Sequence, residues 1–192
     1  MSRVRVLRWQ GDATVFDGER RIEIGVDTQV VPFRWARSRS WLRDQGPSQA
    51  RTMLITPEGG WIGRAGRNDA APGGLVTHER AQFAVYGLML LEPLLHPGVT
   101  ISPAPGRNGL TAFAVRHPDA PPATLYFDGD GRLAELEDVV PDPGGGAPIA
   151  QRFLFSREVM PGPVRWPRRL EIFQKDRPYF ELTLNRFEAA AA

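Results

Sequence analysis

AQFAVYGLMLLEPLL, from Ala81 to Leu95, is the one long apolar stretch in a chain otherwise studded with arginine and patterned as strands. Phe83, Tyr86, Gly87, Leu90, Leu91 and Leu94 recur at i, i+3, i+4, i+7, i+8 and i+11, the spacing of one helical face. The opposite face is not polar, because Val85, Leu88 and Met89 lie there. A helix with a single apolar stripe needs a single partner surface, whereas one that is apolar nearly all round must be covered on every side. Thr77 reads as its N-cap, Glu79 as an acid in the first turn, and Pro93 as its end, which predicts a helix over about 77–92.

Outward from this segment the pattern has a period of two. Ile22, Ile24 and Val26 alternate with Arg21, Glu23 and Gly25, after an Asp17-Gly18 turn. ARTMLIT and WIGR flank a second turn at Pro57–Gly60, and TLYFD and RLAELEDVV flank a third at Gly129–Gly131. IAQRFLFSR, VRWPRRLEIF and PYFELTLNRFE follow. The pattern predicts about nine to eleven short strands in an antiparallel meander. The segments 65–74, 102–108, 117–122 and 141–148 are rich in Gly and Pro and read as loops, none with the character of an interdomain linker. One domain over 1–192 is the expectation. The economical way to cover a helix on all sides with one such sheet is to bend the sheet strongly around it. The fold class expected is mainly β: an open, curved antiparallel half-barrel with one central apolar helix in its concave face.

Composition narrows the function. The chain has 192 residues, 42% hydrophobic and 24% charged, with a formal net charge of +2. Arginine supplies nearly all of its cations, so these are planar, bidentate donors. There is no cysteine, which removes disulfides, thiolate catalysis, zinc–thiolate sites and iron–sulfur clusters. No window reaches the roughly 18 uncharged apolar residues of a membrane span, since Glu92 and Pro93 interrupt even the quoted run. The opening residues, from Met1 to Trp9, enter a strand directly and lack the apolar core of a signal peptide, so a leader or first helix trimmed from a longer protein is expected.

Two parts of the chain carry a resemblance. GPVRWPRRLEIFQKDRPYFELTLNRFE, Gly162 to Glu188, resembles the last two strands of the periplasmic lipoprotein-carrier superfamily, the Lol-type carriers and their uncharacterised relatives. LRWQGDATVFDGERRIEIGV is similar to that superfamily's first hairpin. The helix after Gly59-Gly60-Trp61 fits the position of its lid. The resemblance implies an unclosed half-barrel of roughly eleven strands, helices in its concave face, and a hydrophobic interior able to hold acyl chains. The usual N-terminal helix, leader and anchoring cysteine of the superfamily are missing from this sequence.

VPFRWARSRSWL, Val31 to Leu42, reads as one strand with Phe33, Trp35, Arg37, Arg39 and Trp41 on one face. Guanidinium groups interleaved with aromatics can receive an anionic headgroup, or can form a solvated outer face, the second being favoured. A single-stranded nucleic acid is a poor fit to a chain with so little net charge. FDGDGRL lacks the later ligands of a calcium loop and reads as a hairpin turn. His78, His96 and His117 lie far apart, with neither the zinc-protease helix nor a Gly-x-Ser-x-Gly elbow. No enzyme, cofactor or metal is expected.

The expected function is non-catalytic binding or transport of a lipid or lipoprotein acyl group in a bacterial cell envelope. The site expected is a cavity lined by Phe83, Tyr86, Leu90 and Leu91 on the helix and by Trp35, Trp41 and Trp61 on the sheet, with Arg37 and Arg39 at its mouth. The protein is expected to be a monomer, periplasmic if a leader was removed and cytoplasmic otherwise, with an envelope protein as a further partner. The alternative is a structural or interaction module of the same fold whose core is filled by its own side chains, with a hydrolase third.

Overall fold

The computed structural model describes residues 4–162 and 164–191. Met1–Arg3, read above as the opening of the first strand, lie outside the described residues. β1 (Val4–Asp17) and β2 (Arg20–Val31) form the first hairpin, Asp17 facing Arg20 across a loop begun by Gly18 at φ 62°. A two-residue loop that starts with a left-handed glycine matches the twist of the strands it joins. β3 (Trp35–Leu42), β4 (Arg51–Ile55), β5 (Gly60–Arg64) and β6 (Arg67–Ala70) extend this meander to one edge of the sheet. After α1 (Gly73–Met89) a second meander begins at the other edge. It runs through β7 (Thr100–Arg107), β8 (Leu110–Arg116), β9 (Ala123–Phe127), β10 (Leu133–Val140) and β11 (Ile149–Phe155). β12 (Val159–Met160) and β13 (Trp166–Pro167) form a separate small ribbon. β14 (Arg169–Gln174) and β15 (Arg177–Ala191) return to the main sheet, where β15 pairs with β1 along most of its length.

The result is one antiparallel sheet of thirteen strands, in the order β6-β5-β4-β3-β2-β1-β15-β14-β11-β10-β9-β8-β7. It bends into a half-barrel that does not close. The strand number exceeds the nine to eleven read from the sequence because β6 and β7 fall in segments taken for loops. Asn108-Gly109, both with positive φ, joins β7 to β8 as a two-residue hairpin, a signal the loop reading passed over. β3 also differs. Residues 32–34 form a turn between β2 and β3, so the expected strand from Val31 is broken, and Phe33, at φ 60°, swings away from the row that Trp35 begins.

The two edges, β6 and β7, are consecutive in the chain but on opposite sides of the sheet, so the connection must cross a face. α1 makes that crossing along the concave side. Its C-terminal half, Ala84 to Met89, is buried at every position, which only a surface wrapped around the helix can achieve. Inward residues of many strands meet it in one core: Leu7 and Trp9, Val26 and Val30, Leu125, Leu136, Phe153, Ile172, Leu182 and Leu184.

The helix bounds depart from the expected 77–92 at both ends. It starts at Gly73 with Pro72 as its N-cap, and no acid lies in its first turn; Thr77 instead bonds back to the Gly73 carbonyl within the helix. A Cβ on Gly74 would collide with the Pro143 carbonyl, so the glycine that weakens the helix permits the loop over it. The helix ends at Met89, the residue four before Pro93, whose ring excludes a carbonyl at that position. Leu91 then takes φ 61° and a short 3₁₀ turn, Glu92–Leu95, follows. Arg80 fastens α1 to the β4–β5 turn by donating to the carbonyls of Thr56 and Pro57, and His78 Nδ1 lies 2.8 Å from the Pro141 carbonyl beyond β10.

Candidate functional site

The concave face is partly filled by its own aromatics. The Trp9 ring lies 4.8 Å from Tyr86 and 6.2 Å from Trp166, and Trp166 stacks on Phe187 at 4.8 Å with an interplanar angle of 11°. Trp166 arrives on the β12–β13 ribbon, so the ribbon plugs one side of the trough. Beside this stack, between α1 and strands β1–β4, β14 and β15, remains a cavity of about 230 Å³. Its apolar walls are Trp9, Ile24 and Val26, Met53, Ile172 and Phe180, with Phe83 and Tyr86 from the helix.

Small residues create the space. Ser38 and Ser40 of β3 pair with Thr28 and Val26 of β2 on the inward side, where larger side chains would fill the cavity. Thr28 and Ser38 satisfy each other through a 3.0 Å hydroxyl–hydroxyl bond, which lowers the cost of placing these two polar groups against hydrocarbon. One side is polar. Glu79 and Gln82 line it from the helix, and Tyr179 from β15. Burial pushes the Glu79 carboxyl above its ordinary range, with His78 and Arg51 pulling the other way. Burial, and secondarily the Glu79 charge, likewise raises the Tyr86 and Tyr179 hydroxyls. Arg51 pairs with Ser40 in register and so belongs to the same face of the sheet; it makes no ion pair among the described residues. This edge can take up a polar or anionic group while the walls take up hydrocarbon.

Of the residues named from the sequence, Phe83 and Tyr86 line this cavity and the others do not. Leu90 caps the helix and packs on the core, and Leu91 borders a different cleft of about 100 Å³ with Met89, Leu133 and Phe155. The early helix end turned both away. Trp35 borders a third space of about 310 Å³ at the rim, with Phe33, Ile55 and again Phe83. Arg37, Arg39 and Trp41 project from the opposite face of the sheet, because β3 places Ala36, Ser38 and Ser40 inward. There Trp41 covers Gly25, and Arg39 lies 4.0 Å from Asp27 and donates to the Pro47 carbonyl. Trp61 pairs with Leu54, which pairs with Arg37, so it lies on that outer face too and is 39% exposed. Arg37 and Arg39 therefore do not reach the mouth of this cavity, and the arginine on the inner face beside it is Arg51. Trp9, Met53, Arg51, Glu79 and Tyr179 were not named from the sequence as site residues, Glu79 having been read only as a first-turn acid of the helix. The inward phase of β2, set by Ile22, Ile24 and Val26, was the signal that would have assigned the faces of β3.

The histidines assemble only in part. His96 and His117 have ring centroids 6.3 Å apart, and Phe33 stacks on His117 at 4.2 Å. Their Nδ1 atoms accept from the backbone N–H groups of Gly98 and Asp119. Among the described residues no histidine hydrogen-bonds a serine or a carboxylate side chain, and no group of three His, Asp or Glu side chains could hold a metal. Asp128 caps its own hairpin by accepting from the N–H groups of Asp130 and Arg132. No described helix is long and apolar enough to cross a membrane.

No protein-family model matches the sequence, and no curated protein matches it. Solved structures do. A LolA superfamily protein from Nitrosomonas europaea superposes with a TM-score of 0.61 at 7% identity, over 97% of this chain and 87% of that one. A DUF1329 family protein from Desulfovibrio piger gives 0.59 at 8% identity, over 97% and 86%. A domain assigned to outer membrane lipoprotein sorting, from Vibrio parahaemolyticus, gives 0.56 at 10% identity, over 95% and 84%. The likeness runs through nearly the whole chain, and the fold is that of the LolA-type half-barrels.

Proposed function

We propose that the protein binds an acyl chain reversibly, without chemistry, in the cavity between α1 and the inner face of the sheet, and that it does so in a bacterial cell envelope. The observation that carries this reading is the 230 Å³ space, mainly apolar in its walls, against Phe83 and Tyr86, at a place where a fully packed core would have none. The fold supports it, since one structural neighbour is described as a lipoprotein-sorting domain. Each methylene moved from water into such a space contributes about 0.8 kcal/mol, so a chain of modest length binds without polar recognition. The space is smaller than the roughly 300–1,000 Å³ of ordinary ligand pockets. Phe83 borders both this cavity and the 310 Å³ space at the rim. Rotation of its ring would join the two, admitting a longer chain past Ala84. Arg51 and Glu79 then receive the polar end of the guest, a lipid or the acylated terminus of a lipoprotein.

The second reading is a structural or interaction module with a filled core, favoured by the Trp9–Tyr86–Trp166–Phe187 stack that already occupies much of the trough. Native mass spectrometry of protein purified gently from lipid-rich cells separates the two. The carrier reading expects an adduct of lipid mass that is stripped by organic solvent. A bare polypeptide mass under the same conditions supports the filled core and counts heavily against a carrier.

A further inference from the structure

The face of the sheet turned away from α1 carries different chemistry. Ala114, Thr124, Glu137, Arg152 and Phe173 form a single register row across β8, β9, β10, β11 and β14. Short side chains at one end of the row and long ones at the other make a trough, and a cleft of about 470 Å³ lies over it. Asp138 and Gln151 pass beneath, but they alternate with these residues and their side chains are buried on the other side. The next row brings Arg116 to one wall of the cleft and Lys175, from the β14–β15 turn, to the other. The Lys175 N–H donates to the Ala150 carbonyl at 3.1 Å, which ties the turn to the cleft floor.

The cations of this cleft are not neutralised from within. Glu137, the acid beside Arg152 in the row, is engaged elsewhere: it accepts from Arg107 at 2.6 Å and from the Tyr126 hydroxyl at 2.8 Å. The Arg152 guanidinium carbon sits 5.1 Å from the Phe173 ring centroid, and its Nε is shielded from solvent with no hydrogen-bond partner. Among the described residues neither Arg116, Arg152 nor Lys175 makes an ion pair, and the acids at the cleft besides Glu137 are Asp176 and Asp138, the latter with its side chain buried beneath the floor. The half-buried Arg152 side chain keeps its terminal guanidinium nitrogens without an ion-pair partner among the described residues, and an oxyanion there gains charge-assisted hydrogen bonds. The turn adds a second sign. Lys175 and Asp176 both hold positive φ, 50° and 60°, in a two-residue hairpin loop where asparagine and glycine sit without strain. Left-handed strain at non-glycine residues clusters at ligand-binding sites.

We propose that this cleft is a phosphate-binding site, with Arg152 and Lys175 as the phosphate donors and Arg116 holding the far end of the ligand. Arg152 supplies the planar fork and Lys175 the point charge, a pairing suited to a phosphate monoester or diester. Three strand spacings, about 14 Å, separate the backbone of Arg116 from that of Arg152, so the ligand is elongated. The phosphate belongs either to a soluble ester or to the headgroup of a phospholipid. The site lies on the face opposite the acyl cavity and stands or falls independently of it.

Backbone-amide NMR of the full chain tests the proposal, with sn-glycerol 3-phosphate titrated at constant ionic strength. Vesicle flotation on phosphatidylglycerol and on phosphatidylcholine provides the second arm. Saturable shifts confined to residues 114–116, 150–152 and 173–176, weakened at least tenfold in Arg152→Gln and in Lys175→Gln, establish a soluble ester as the ligand class. Flotation with phosphatidylglycerol alone, lost in both variants, assigns the site to a headgroup. No shift and no flotation, or binding that survives both substitutions, overturns it. The amide spectrum of each variant shows directly that it remains folded.

Discussion

Asp138 is the least comfortable residue in the fold. It is buried at 5% exposure, neither carboxylate oxygen has a partner, and burial pushes its pKa to about 7. Its register neighbour, Gln151, is equally buried, and both of its amide atoms also lack partners. A carboxyl raised in this way favours the folded state fully below its ordinary pKa of 3.8, and the contribution is lost as pH rises through about 7. Asp138→Asn removes the titration and supplies an amide beside Gln151. The variant should be more stable than the parent at pH 8, by up to about 4 kcal/mol, with the gap closing toward pH 4. Urea unfolding at the two pH values measures this; a gap that is constant with pH would show that the carboxyl is not titrating inside the fold. His117 works in the opposite sense. Desolvation holds it below its ordinary value, so its contribution is present above pH 6.5 and is lost as pH falls. At the β14–β15 turn, Lys175→Asn with Asp176→Gly should raise stability by about 1 kcal/mol by relieving left-handed strain. The same pair of changes should abolish phosphate binding, and a gain in stability together with unchanged binding would argue against the role given to Lys175.

At the scale of the element, α1 shows a conflict settled by packing. Gly87 lies within the helix, where alanine is ordinarily worth about 1 kcal/mol more. Here a Cβ would overlap the Phe33 ring, which the positive φ of Phe33 aims at the helix. Gly87→Ala should therefore destabilise, by about 1–3 kcal/mol, opposite in sign to its helix propensity. Chemical denaturation reads the sign directly. Period-two alternation located most strands, and the all-round apolar run located the helix, because both signals come from burial on known faces. The limits of α1 were less legible. Gly73-Gly74 resembles a loop, yet opens the helix, and glycine is required at 74 because the Pro143 carbonyl approaches too closely for a Cβ. β6 and β7 escaped notice because edge strands are exposed and carry no alternation: Arg67–Ala70 is exposed throughout, and β7 holds Pro103 and Pro105.

At the scale of the whole molecule, the order of the sheet explains the site. Because β6 and β7 end up at opposite edges, the chain must cross the concave face, and the helix that crosses it becomes one wall of the cavity. The bent sheet was legible from one segment, since a helix greasy on all sides demands an enclosing surface. The cavity was legible only on its helical side. Its sheet side depended on the phase of β3: with Ser38 and Ser40 inward the trough stays open, and Trp41, Arg37 and Arg39 face away. A short alternating strand of aromatics and arginines has two faces that look equally apt for a ligand, and only its partner strands choose between them.

Carrier function requires that the space beside Phe83, Tyr86 and Ser40 receive hydrocarbon. Titration with an environment-sensitive dye that emits in apolar cavities, against the parent chain and Ser40→Phe, tests it most directly. A hydrocarbon-binding cavity gives saturable emission near one equivalent in the parent, displaced by a fatty acid, and strongly reduced in a folded Ser40→Phe variant. A dark parent, or equal emission from both proteins, would contradict it.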